Sequence, residues 1–60
     1  MNKNLGTYTI HRSKNFYDCT VVCKELGTES VIFAASANEQ AEEINKAIRI
    51  FEEKLALKIN

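Results

Sequence analysis

The sequence has no proline, no tryptophan and only two glycines among its sixty residues. With no proline to break an element and no low-complexity run, disorder is expected only over Met1 to Asn4. Net charge is missing as well, because eight acidic and eight basic residues cancel. A nucleic-acid-binding domain usually carries a basic excess, since neutralising phosphates supplies most of its affinity. Long apolar runs are absent. The longest, Val31 to Ala35, is far too short to span a bilayer. The polar start, Met-Asn-Lys-Asn, leads into no apolar stretch of the kind that a secretory signal needs. Cysteine is limited to Cys19 and Cys23, and free thiols fit a cytoplasmic location. A chain this short buries only about 60% of its unfolded surface, so a lone core is marginal and oligomerisation is one remedy.

What is present reads as one small α+β domain over residues 1–60, a three-stranded antiparallel meander followed by one long helix. Leu5 to Arg12 alternates Tyr8 and Ile10 with Thr7, Thr9 and His11, a period of two that predicts a strand. Ser13-Lys14-Asn15 is a polar turn of hairpin length. Residues 16–24 form the second strand, with Tyr17, Cys19, Val21 and Cys23 on one face and Phe16, Asp18, Thr20, Val22 and Lys24 on the other. A helical reading also exists, in which Phe16, Cys19, Cys23 and Leu26 share a stripe. The β-branched run Thr20-Val21-Val22 favours the strand. Glu25 to Glu29 holds Gly27, a natural turn position. Residues 30–35 are apolar on both faces, as in a strand covered on both sides.

Ser36-Ala37-Asn38-Glu39 has the pattern of a capping box. The Ser36 hydroxyl accepts from the Glu39 amide, and the Glu39 carboxylate reaches back to the Ser36 amide. A helix is predicted over residues 37–58. Glu39, Glu42 and Glu43 lie near its positive end, and Lys54 and Lys58 near its negative end. Glu42 with Lys46 and Arg49 with Glu53 are expected as i,i+4 pairs. Ala37, Ala41, Ile44, Ile48, Phe51, Leu55 and Ile59 fall in a stripe about 80° wide.

This helix is about 33 Å long at about 1.5 Å per residue, against about 20 Å for a six-residue strand. The stripe therefore outruns the sheet at Phe51, Leu55 and Ile59. The N-terminal tail, a second copy or another protein must cover it. Ile50 and Leu57, one heptad apart, lie roughly opposite the stripe. These five residues, Ile50, Phe51, Leu55, Leu57 and Ile59, are the candidate protein interface.

Chemistry is sparse. Cys19 and Cys23 on one strand have Cα atoms about 13 Å apart, well beyond disulfide reach of about 7 Å. A metal needs three or four ligands, and His11, the only histidine, faces away from both thiols in this register. The cysteines read as small buried hydrophobes. No nucleophile pairs with His11, and Gly6 and Gly27 are too far apart for a phosphate loop. The Glu52-Glu53 pair reads as solvated helix face. No catalytic residue, metal site or cofactor is expected.

Over Leu5 to Leu57, the order and length of the elements resembles the arm-binding domains at the N-termini of some tyrosine recombinases, and is similar to sheet-and-helix DNA-binding domains of plants. That resemblance implies a sheet face presented to the major groove, and no motif is shared. The corresponding face here carries Thr7, Thr9, His11, Phe16, Asp18, Thr20, Val22 and Lys24, with Lys24 its one firm cation and Asp18 opposing phosphate. Arg12, Lys14 and Lys24 are the candidate nucleic-acid contacts. The favoured expectation is instead a cytoplasmic, non-enzymatic protein–protein module, a homodimer or the accessory of a larger protein. Its size and composition are similar to those of small bacterial and phage proteins.

Overall fold

The computed structural model describes residues 4–14 and 17–59. The placement of Phe16 on the outer sheet face, the end of the stripe at the Ile59 side chain and the disorder expected over residues 1–3 lie outside the described residues. Three strands, β1 (Tyr8–Arg12), β2 (Cys19–Cys23) and β3 (Thr28–Ile32), precede one helix, α1 (Ala37–Ile59). The strands form an antiparallel sheet in the order β1-β2-β3. This is the βββα architecture that the alternation and the capping box predict, and the helical alternative for residues 16–26 is excluded by the pairing of β2 on both sides.

The register sorts the faces. Tyr8, Cys23 and Thr28 are laterally aligned, as are Ile10, Val21 and Ser30, and Arg12, Cys19 and Ile32. These rows face the helix. Cys19, Val21, Cys23 and Ile32 bury there against Ile44, Ala47, Phe51 and Leu55, with Tyr8, Leu26 and Ile48 packed at the margin. Thr9, Val22 and Glu29, and His11, Thr20 and Val31, form the outer rows. Both cysteines are free and act as core hydrophobes.

Each strand is shorter than its apolar run, for a physical reason. Gly27, at φ 63°, reverses the chain just before Thr28, and its amide donates to the Cys23 carbonyl at 3.0 Å. Pairing therefore resumes at Thr28, two residues earlier than the predicted start at Ser30. At its other end β3 stops at Ile32, because Ile32 lies opposite Cys19, where β2 begins. The Ala34 amide turns instead to the Asp18 carboxylate at 3.2 Å. β1 starts at Tyr8 rather than Leu5 because the amides of Leu5, Gly6 and Thr7 are taken by carboxylates.

The helix begins as the capping pattern requires, with the Glu39 amide donating to Ser36 Oγ at 3.1 Å. The reciprocal arm differs. Glu39 Oε1 accepts from the Ala35 amide at 3.4 Å, one residue before the expected partner. Lys46 pairs with Glu43 at 3.3 Å rather than with Glu42. The buried stripe is also rotated, running Gln40, Ile44, Ala47, Phe51, Leu55, while Ala37 and Ala41 are exposed. Gln40 takes the inward position because the sheet end facing it is polar. Its Nε2 donates to the Tyr17 carbonyl at 2.7 Å, and its Oε1 accepts from Arg12 Nη1 at 2.6 Å.

Candidate functional site

The C-terminal half of α1 outruns the sheet, and the chain covers part of it with its own N-terminal segment. The ring of Tyr8 stacks on Phe51 at 6.0 Å between centroids. Gly6 lies against Leu55 so closely that a Cβ there would sit 2.6 Å from Leu55 Cδ1. Two carboxylates tie the segment down. Glu52 accepts from the Leu5 amide at 2.8 Å, from the Gly6 amide at 3.2 Å and from the Tyr8 hydroxyl. Glu25 accepts from the Thr7 amide at 2.6 Å and from its hydroxyl at 2.9 Å.

The electrostatics follow this wiring. The Tyr8 hydrogen bond, then the Leu5 amide, hold the Glu52 carboxyl below the ordinary value of 4.5. The Thr7 amide and hydroxyl do the same for Glu25. Desolvation, reinforced by the hydrogen bond to Glu52, pushes the Tyr8 hydroxyl upward. Glu52 is thus an anchor, not a solvated surface glutamate. Composition gave no sign of it, since its partners are backbone amides 46 and 47 positions away.

The five candidate interface residues separate. Phe51 and Leu55 are 4% and 6% exposed and belong to the chain's own core, so neither offers a free surface. Ile50 and Leu57 are 52% and 77% exposed. Ile59 lies at the last helical position, its side chain outside those described. Two further apolar side chains join the exposed set from the sheet, Val31 at 55% and Phe33 at 74%. The unbroken apolar run of residues 30–35 was their signal. The register resolves which side chains it leaves outside.

These residues border β3 on both sides. On the outer face, Val31 and Phe33 line a hollow with His11 and Thr20. On the helix side, a groove between β3 and α1 is lined by Thr28, Glu29, Ser30, Ala47, Ile50 and Lys54. Exposed apolar side chains therefore lie on both sides of β3, with the polar residues Thr28, Glu29 and Ser30 beside Ile50 in the groove.

Of the three candidate nucleic-acid contacts, Arg12 and Lys14 lie at one end of the sheet and Lys24 at the other. The Arg12 guanidinium is engaged by Gln40 on the helix side of the sheet. Lys14 lies exposed just beyond β1. Lys24 is in the opposite turn, its amide bonded to the Thr7 carbonyl at 3.0 Å. Because Arg12 pairs with Cys19, five residues before Lys24, the two cations are separated by about 17 Å along the sheet.

Among the described residues, no group of three His, Cys, Asp or Glu is arranged to hold a metal ion, and no helix is long and apolar enough to cross a membrane. Comparison of the chain with protein-family models, with curated proteins and with solved structures finds no match in any of the three.

Proposed function

We propose that the chain is a small, non-enzymatic assembly module that works by protein–protein association, with self-association its principal mode. The observation that carries this reading is the clustering of Val31, Phe33 and Ile50 around one edge of the sheet, each at least half exposed. Scattered apolar residues are ordinary on protein surfaces, whereas several large ones flanking the same edge strand of so small a domain point to an interaction site. The core supports the same reading. A chain of this size has little stability to spare, and covering further apolar surface by association adds to it.

Sedimentation equilibrium across a wide concentration range tests this directly. The expected result is a mass above the 6.8 kDa of one chain, rising with concentration. A constant 6.8 kDa up to millimolar concentration would overturn self-association. Adding a short DNA duplex at low salt serves as the control, and no mobility shift is expected from a neutral chain whose candidate cations are split between the two ends of the sheet.

A further inference from the structure

The two edges of the sheet are not equivalent. The Lys24 amide bonds the Thr7 carbonyl, and the Ser13 amide bonds the Asp18 carbonyl. In an antiparallel ladder, bonded and non-bonded pairs alternate, so these two bonds fix which backbone groups point where. The groups of Thr9 and His11 face β2, and those of Tyr8, Ile10 and Arg12 face outward. On β2, the groups of Cys19, Val21 and Cys23 face β3, where they meet Ile32, Ser30 and Thr28. Glu29 and Val31 therefore point their amides and carbonyls away from the sheet, and Phe33 continues the alternation. The bond from the Ala34 amide back to Asp18 agrees with this phase.

The β1 edge carries a guard. Arg12 is a charge on its inward face, tied to Gln40, and an inward-pointing charge on an edge strand discourages strand addition. The β3 edge has no inward-pointing charge: its one charge, Glu29, lies in the outer row with Val22, and residues 30–35 hold neither a charge nor a proline.

We infer that β3 is the seam of a two-fold homodimer, in which the β3 strands of two copies pair antiparallel into one six-stranded sheet. This rests on the assembly reading above and specifies its geometry. Three features select a second copy rather than a foreign strand. First, a two-fold axis through Val31 sets Val31 against its own counterpart and Glu29 against the partner's Phe33. Every outward-facing group of residues 29, 31 and 33 is then paired, and the two Val31 side chains meet on the outer face. Second, the helix lies over β2 and β3. With strands about 4.8 Å apart and the helix midway between β2 and β3, the two helix axes fall about 10 Å from each other across the seam. That matches helix–helix contact at about 8–10 Å. The groove beside Ile50 is then where the partner helix packs. Third, Glu43 and Lys54 lie eleven residues apart on this side of the helix. In an antiparallel pair, Glu43 of each copy, which also holds its own Lys46, lies across from Lys54 of the other. Such rim charges set orientation more than affinity.

The test compares the wild-type chain with Val31→Pro and Ile50→Asp by sedimentation equilibrium, with circular dichroism as the check on folding. Proline at Val31 removes an amide that faces away from the sheet, a position where an edge strand tolerates it. Both variants are expected to fold and to sediment at 6.8 kDa, while the wild type approaches twice that mass. A dimer that persists in both folded variants overturns the β3 seam and leaves the assembly reading standing. A wild-type monomer overturns both. Amide hydrogen exchange of the wild-type chain needs no variant. The amides of Glu29 and Val31 are expected to gain protection as concentration rises, while those of Tyr8 and Ile10 on the other edge do not. Equal behaviour of the two edges would also overturn the proposal.

Discussion

The hydroxyl of Tyr8 donates to the carboxylate of Glu52, joining the first strand to the overhanging half of the helix across 44 positions of sequence. The same carboxylate holds the Leu5 and Gly6 amides, and the Tyr8 ring lies on Phe51, the residue before Glu52. Tyr8→Phe and Glu52→Gln are each expected to lower stability, because each removes a partner from a shared network. The double variant is expected to lose less than the sum of the two, as coupled groups in one network do. Urea unfolding of the four proteins completes the cycle. Simple additivity would show that the hydroxyl and the carboxylate act independently.

Stability should fall at both pH extremes, through different groups. The carboxyls of Glu52 and Glu25 titrate lower in the folded chain than the ordinary value of 4.5. Between the folded value and 4.5, the unfolded chain binds more protons, so their contribution is complete above 4.5 and is lost as pH falls below it. Tyr8 titrates higher in the folded chain than the ordinary 10.0. Above 10.0 the unfolded chain releases its proton first, so stability declines as pH rises further. Urea midpoints measured across pH should show both limbs. In Tyr8→Phe the alkaline loss is expected to shrink. An unchanged alkaline limb would assign it to other groups.

The helix was legible because its signals are local. A cap at Ser36 and an uninterrupted run of helix-compatible residues lie within the helix itself. The strand identities were legible for the same reason, through alternation and β-branching. The lengths of the strands were not. Where β1 begins depends on Glu25 and Glu52, which lie 18 and 47 positions from the residues they hold. The phase of the helical stripe differs at its start because alanine fixes it weakly: the apolar pattern places Ala37 and Ala41 inward, where the structure buries Gln40 instead. Gln40 is buried because Arg12 and the Tyr17 carbonyl give its amide partners. Among the candidate interface residues, the exposure of Ile50 and Leu57 was legible from their position opposite the stripe, while the burial of Phe51 and Leu55 required knowing where the N-terminal segment goes.

The two glycines are constrained in opposite ways, and alanine substitutions separate them. Gly27 has no neighbour within 4 Å of an added Cβ, but its φ of 63° is left-handed. Gly27→Ala is expected to cost about 1–2 kcal/mol from backbone strain alone. At Gly6, an added methyl meets Leu55, Glu25 and Tyr8 at 2.6–3.2 Å. Gly6→Ala is expected to cost about 1–3 kcal/mol through overpacking. The measurements that distinguish the mechanisms are chemical denaturation and hydrogen exchange. Gly6→Ala should speed exchange of the Leu5 and Thr7 amides selectively, because it lifts the segment from the helix. Gly27→Ala should leave those two amides in step with the rest of the fold.

Phe51 and Ile50 are adjacent in sequence and face opposite fates, which gives a direct check on the division between core and rim. Phe51 is 4% exposed and sits under the Tyr8 ring. Phe51→Ala is expected to cost about 3–5 kcal/mol, the usual loss for an aromatic removed from a core. In a domain of this size that is most of the folding free energy, so the variant should be largely unfolded by circular dichroism at ordinary temperature. Ile50 projects from the β3 side of the helix into the groove with Ser30 and Lys54. Measured on dilute, monomeric protein, Ile50→Ala should change stability by no more than about 0.5 kcal/mol, as expected of a surface position. At high concentration, where association adds its own stabilisation, the same variant should unfold at a lower urea midpoint than the wild type. A concentration-independent loss would place Ile50 in the monomer's core and remove it from the interface.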